Sequence, residues 1–199
     1  MSLTLVHALS ERKEEILEAA KALFSEIGYV SASMRKIAEK LEIEHGSLYS
    51  RFKSKEIMLW EIALLCAQAF FDRVEPVAKN DVAPAKRLEH MLEAHLDVII
   101  ENQDVSVVFF EEWKHLTGPK LSEFPQLRDR YEQLFVDVLD EGMKKGEIQA
   151  LPKRFLSHTL LASANWIPRW YKSDGEMSIE EIKATLKKIL INGLKNKNE

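Results

Sequence analysis

Residues 16–56 read ILEAAKALFSEIGYVSASMRKIAEKLEIEHGSLYSRFKSKE. Apolar side chains fall at Ile16, Leu17, Ala20, Leu23, Phe24 and Ile27, in steps of three and four that mark one face of a helix. Ser10 offers a cap at its start, and Gly28 stands where a helix-ending glycine belongs. After a connector at 29–32, Ser33 can cap a short second helix that turns Ile37, Ala38 and Leu41 inward. A third short helix is expected over 45–52, with Leu48 and Phe52 four apart on its inner face. Its outer face then carries Gly46, Ser50 and Lys53, flanked by Ser47 and Tyr49. Ser54 caps a long fourth helix. Two short helices joined by a tight turn and buttressed by a third make a helix-turn-helix.

The charge pattern points the same way. The chain is acidic, with 28 Lys and Arg against 32 Asp and Glu and a formal net charge of -4. Yet Arg51, Lys53 and Lys55 gather beside the hydroxyls of Ser47, Tyr49, Ser50 and Ser54. Salt confines each surface charge to about 8–10 Å, so a local basic face survives overall acidity. Hydroxyls and amides near a helix start suit phosphate oxygens. The plain alternative is a solvated turn between two helices.

Beyond residue 55 the composition changes. The fourth helix is apolar almost all round between Ile57 and Phe71, which implies burial on several sides. Further helices are expected at 84–101, 103–116, 121–145, 152–172 and 179–195, the last opened by a Ser178–Glu181 capping box. VSVVFF at 105–110 is assigned to helix, because no partner strand is visible anywhere. On a wheel, Phe155, Thr159, Ala162, Ser163, Trp166 and Trp170 share one broad face, which Leu156, Leu160, Ile167 and Tyr171 extend. Pro168 is expected to kink this helix. The last helix adds a stripe of Ile182, Leu186, Ile189, Leu190 and Gly193, and two such helices from each of two chains would make a four-helix interface.

The length of 199 residues and 46% hydrophobic content allow a sizeable core in an all-α protein. The one cysteine, Cys66, lies in an apolar run, so no disulfide framework is expected, in keeping with a cytoplasmic location. No secretory leader and no membrane span are expected. Nothing supports an enzyme, a resident cofactor or a metal centre. His90 and His95 are five apart and off a common face, and His95 shares the apolar face of Met91, Leu92 and Ile99.

The elements AA..LF...GY, SMRKIA, G.LY..F and SKE within residues 16–56 together resemble the DNA-binding domain of TetR-family repressors. The resemblance implies a helix-turn-helix domain at 10–54 and a helical ligand-binding and dimerisation domain at 55–199. It implies that Ser47 and Tyr49 meet DNA, that Arg35 reads or clamps it, and that Arg51 and Lys55 hold phosphates. His45 and Gly46 occupy positions that often touch base edges. Three departures stand out: Glu42 where a turn glycine is usual, Glu44 where Ser or Thr usually caps, and Lys36 at the usual acidic capping-box position.

The second half, through FFEEWKHL, LRDRYEQLF, GEIQ, NWIPRWY and GEMSIEEI, is similar to the ligand domain of family members that regulate fatty-acid and related acyl-CoA catabolism. That likeness implies a homodimer on double-stranded operator DNA with an acyl-CoA effector. Arg128, Tyr131, Asn165, Trp166 and Arg169 are then candidates for the polar end, and Phe70, Phe71, Phe109, Phe110 and Trp113 for the acyl tunnel. Arg128 and Arg169 favour an anionic ligand; an apolar cation as effector, kept open by Glu111 and Glu112, and a helical interaction protein that does not bind DNA are the alternatives.

Overall fold

The computed structural model describes residues 11–195, and the Ser10 cap lies outside them. Along the chain run α1 (Glu11–Ser31), α2 (Met34–Lys40), α3 (His45–Arg51), α4 (Lys55–Ala78), α5 (Pro84–Glu101), α6 (Gln103–Glu111), α7 (Gly118–Lys144), α8 (Lys153–Asn165) and α9 (Ile179–Leu186). Helix α6 runs into a 3-10 turn at Glu112–His115, and α9 continues through a π-turn at Lys187–Ile191 to Asn192–Leu194. Among the described residues the only β-type pairing is a single bridge between Ile148 and Lys195, so the protein is all-α. VSVVFF is helical, within α6.

The chain forms two compact units. The first holds the chain up to Gln68 together with Asp104–Pro125; the second holds Ala69–Gln103 and the chain from Gln126 onward.

In the first unit Ile16, Leu17, Ala20 and Phe24 of α1 are buried, as their spacing requires. Leu48 and Phe52 are completely buried beside them, so α3 can only turn its other side outward. Burying each such side chain contributes about 1.5–3 kcal/mol. Lys13 ties α1 to α4 through Glu61 at 2.7 Å. Gly28 has φ 77° and ψ 155°, a conformation open in practice to glycine alone, and there α1 breaks before one more turn at Tyr29–Ser31.

In the second unit the core is built from Leu88, Met91, Leu92, Leu96 and Ile99 of α5 with Phe135 and Leu139 of α7 and Leu160 and Ala164 of α8. Gly142 lets the chain after α7 fold back on itself, because a Cβ there would lie 2.5 Å from the Ile148 side chain. Ser178 and Glu181 form the expected capping box at the start of α9.

Helix α8 departs from expectation. It was expected to run through 172 with a kink; instead it stops at Asn165, and a 3-10 turn covers Ile167–Arg169. Pro168 has no N–H for the Ala164 carbonyl, and its ring disfavours helical backbone at Ile167. Beyond the break, Gln103 Nε2 donates to Pro168 O at 3.0 Å and to Tyr171 O at 3.1 Å. The wheel also splits into two roles. Leu156, Leu160, Ala164 and Ile167 are buried in their own unit, whereas Phe155, Trp166 and Trp170 are 68%, 63% and 47% exposed. On the last helix Ile182 and Ile191 face inward, and Ile189 is exposed.

Candidate functional site

Helix α3 presents its outer face to solvent. His45, Gly46, Ser47, Tyr49, Ser50 and Arg51 are exposed, as are Arg35 on α2 and Lys53 after α3. A Cβ added at Gly46 would meet nothing within 4 Å, so the surface is open there. The His45 ring meets the Tyr49 ring edge-on at 4.9 Å, and Ser50 Oγ donates to Ser47 O at 2.7 Å. Arg35 has only an exposed ion pair with Glu39 at 3.5 Å, weak enough to exchange for another anion.

Lys55, expected as a phosphate ligand, is engaged within the protein. Its Nζ donates to Tyr29 O at 2.7 Å and Ala32 O at 2.9 Å, and lies 4.1 Å from the centre of the Tyr29 ring. The side chain caps the carbonyls exposed where α1 breaks at Gly28. Burial pushes its pKa down, against an upward pull from Glu112. The same corner is tied by Tyr29 stacked on His115 at 5.1 Å, and by Glu56, whose Oε1 accepts from Thr117 N–H at 3.0 Å. Sequence reasoning had no means of finding this corner, because its parts are far apart in the chain.

Around His95 in the second unit the structure gathers four of the candidate ligand residues: Phe70, Phe71, Tyr131 and Asn165. His95 is 1% exposed. Its Nδ1 lies 2.8 Å from the Tyr131 hydroxyl and its Nε2 lies 2.9 Å from Asn165 Oδ1. Phe70 stacks on the imidazole at 4.8 Å, and Phe71 meets Tyr131 edge-on at 5.4 Å. Burial holds the imidazole down at about 4, outweighing the upward pull of the Asn165 hydrogen bond, so His95 is neutral at physiological pH. The apolar neighbours of His95 in sequence marked it as interior but gave no sign of its partners.

The other candidates lie elsewhere. Phe109, Phe110 and Trp113 belong to the first unit, where Phe109 and Trp113 pack on Phe124 at 5.0 and 5.3 Å. Arg128, Trp166 and Arg169 are exposed. Sequence reasoning passed over a buried carboxylate, Glu132, which accepts from Ser157 Oγ at 2.6 Å and pairs with His158 at 3.0 Å. Among the described residues no helix is long and apolar enough to cross a membrane.

The family model described as bacterial regulatory proteins, tetR family, matches residues 16–62. The model described as tetracyclin repressor-like, C-terminal domain, matches residues 81–194, more than half of the chain. The chain belongs to the TetR family. It is a helix-turn-helix, DNA-binding transcriptional regulator. The HTH-type transcriptional repressor KstR2 of Mycolicibacterium smegmatis is 27% identical over 187 residues, 93% of this chain and 91% of that protein. The structure of the ketosteroid transcriptional regulator KstR2 of Mycobacterium tuberculosis matches with a TM-score of 0.87 at 25% identity, over 96% of this chain and 98% of that one. AibR, solved in complex with isovaleryl coenzyme A and operator DNA, shares the fold with a TM-score of 0.84 at 22% identity, over 91% of this chain and 99% of that one.

Set in the TetR family, the three departures acquire a physical form. The turn after α2 is a Schellman motif: Ile43 N–H bonds Ala38 O at 3.0 Å and Glu42 N–H bonds Glu39 O at 3.1 Å. Its left-handed residue is Glu42, at φ 53°, where glycine would be unstrained. Glu44 makes no side-chain cap to α3. Lys36 cannot form a capping box with Ser33, although its backbone N–H still donates to Ser33 Oγ at 3.2 Å, and its ammonium reaches Ser31 O at 3.1 Å.

Proposed function

We propose that this TetR-family protein is a repressor that binds an inverted-repeat operator as a homodimer and leaves it when an acyl-CoA binds. The observation that carries the DNA part is the open outer face of α3, with Ser47, Tyr49 and Ser50 exposed and Arg51 and Lys53 at its end. Arg35, His45 and Gly46 complete the contact set, and Lys55 is left out of it. The DNA-binding domain is residues 10–54; residues 55–199 bind ligand and dimerise. Two-fold protein symmetry calls for two half-sites about one helical turn, 34–36 Å, apart or a multiple of it. The exposed Phe155, Trp166, Trp170 and Ile189 form the face that a second copy covers.

The effector assignment draws on the aromatic and polar cluster around His95 and on AibR, which has the same fold and holds isovaleryl coenzyme A. Release follows from linkage: a ligand that prefers the conformer with misplaced recognition helices weakens DNA binding by the ratio of its two affinities. A coupling of about 1–3 kcal/mol gives a 5- to 150-fold change.

Fluorescence anisotropy with DNA from the gene's own upstream region tests both parts. Wild-type protein should bind an inverted repeat, Tyr49→Ala should lose that binding with an unchanged melting temperature, and short-chain, long-chain or aryl acyl-CoAs should release the complex. Undiminished binding by Tyr49→Ala would overturn the interface. Release by an apolar cation and by no acyl-CoA would overturn the effector class.

A further inference from the structure

We propose that Asn165 presents its side-chain amide to a carbonyl oxygen of the effector, and that His95 and Tyr131 act as positioning residues that hold the amide in that orientation. The inference rests on the acyl-CoA proposal above and narrows it to the atom recognised, the thioester oxygen.

The hydrogen bonds fix a direction along the row. Asn165 Oδ1 carries no proton, so His95 Nε2, 2.9 Å away, must donate. A neutral imidazole has one N–H, so Nδ1 accepts, and the Tyr131 hydroxyl at 2.8 Å donates to it. In this tautomer a flipped amide would set its NH2 against the His95 N–H. Asn165 Nδ2 is thereby turned away from His95 with two protons to donate, and no described residue accepts from it. Asn165 is half-buried at the last position of α8, where the chain breaks before Pro168.

A purely structural role does not account for the row. Hydrocarbon of the same shape packs as well as a buried polar chain and leaves nothing unsatisfied. Here the completed row ends on an unused donor, and it is flanked by Phe70 on His95 and Phe71 on Tyr131, rings that suit the hydrocarbon of an acyl chain. The site therefore asks for a ligand group that accepts without donating. A thioester carbonyl does so, whereas a thioether offers only a weak sulfur acceptor.

Calorimetric titration with isovaleryl coenzyme A and with its thioether analogue, in which the carbonyl is replaced by CH2, tests the assignment. Wild-type protein should prefer the thioester by about tenfold, the worth of one hydrogen bond. Asn165→Asp retains an acceptor for His95 and removes the donor, so the preference should vanish. His95→Phe removes the hold on the amide; the preference should fall while the thioether affinity stays within about twofold, a pattern that general loss of packing would not give. Equal affinity of wild-type protein for the two probes overturns the inference and leaves the acyl-CoA effector standing. A tenfold preference that persists in Asn165→Asp overturns the role of Asn165. Failure of both probes to bind overturns the acyl-CoA proposal and this inference with it.

Discussion

Lys55→Met separates two roles for one side chain. Methionine keeps most of the aliphatic stem and removes the ammonium. In the structure that ammonium donates to Tyr29 O at 2.7 Å and Ala32 O at 2.9 Å, with a longer contact to Val30 O at 3.4 Å. Hydrogen bonds involving a charged group contribute about 1.5–3 kcal/mol each. Two good ones, offset in part by desolvation of the half-buried ammonium, give a net loss of about 2–3 kcal/mol. For a chain of this size each kcal/mol shifts the melting temperature by about 2–4 °C, so a fall of about 5–10 °C is expected. A phosphate ligand would behave otherwise: its loss lowers the slope of log affinity against log salt by about 0.9 and leaves the melting temperature alone. Differential scanning fluorimetry with salt titrations of operator binding distinguishes the two. The expected result is a lowered melting temperature with an unchanged salt slope. A variant as stable as wild type, with a slope smaller by about one, would refute the capping role.

Glu42→Gly should stabilise the protein by about 0.5–1 kcal/mol in urea unfolding, since it relieves about 1–2 kcal/mol of left-handed strain at φ 53° at some cost in chain entropy; lower stability would show that the turn is not strained. The pKa of His95 is lower in the folded than in the unfolded chain, so the unfolded chain binds the extra proton between pH 6.5 and about 4. Stability is then complete above pH 6.5 and falls as pH drops, by about 2–3 kcal/mol at pH 4.5; His95→Phe should lack this component, and equal pH dependence of the two proteins would refute it. Phe155→Glu alters a side chain that is 68% exposed in the single chain, so it should leave the fold intact and convert a dimer into a monomer in sedimentation velocity, whereas a persistent dimer would place the interface elsewhere.

What the sequence by itself determined is local. Helix hydrogen bonds link residues four apart, so the α1 stripe, the inward pair Leu48 and Phe52, the Ser33 cap and the Ser178–Glu181 box could all be read from spacing. The motif spacing in residues 16–56 likewise carried the family, which the matches over 16–62 and 81–194 bear out. What only the tertiary structure decided involves partners far apart in the chain. Lys55 finds carbonyls 23 and 26 residues away, and His95 finds Tyr131 and Asn165 at separations of 36 and 70. The candidate aromatics divide between two units because α6 and the start of α7 pack with the N-terminal helices, a choice that no periodicity encodes. Pro168 shows the boundary most clearly. Its ring guarantees a fault in the helix, but whether the helix bends or ends depends on what the chain beyond the fault can bond. Gln103, 65 and 68 residues distant, bonds the Pro168 and Tyr171 carbonyls and so holds the chain in its non-helical course after Asn165.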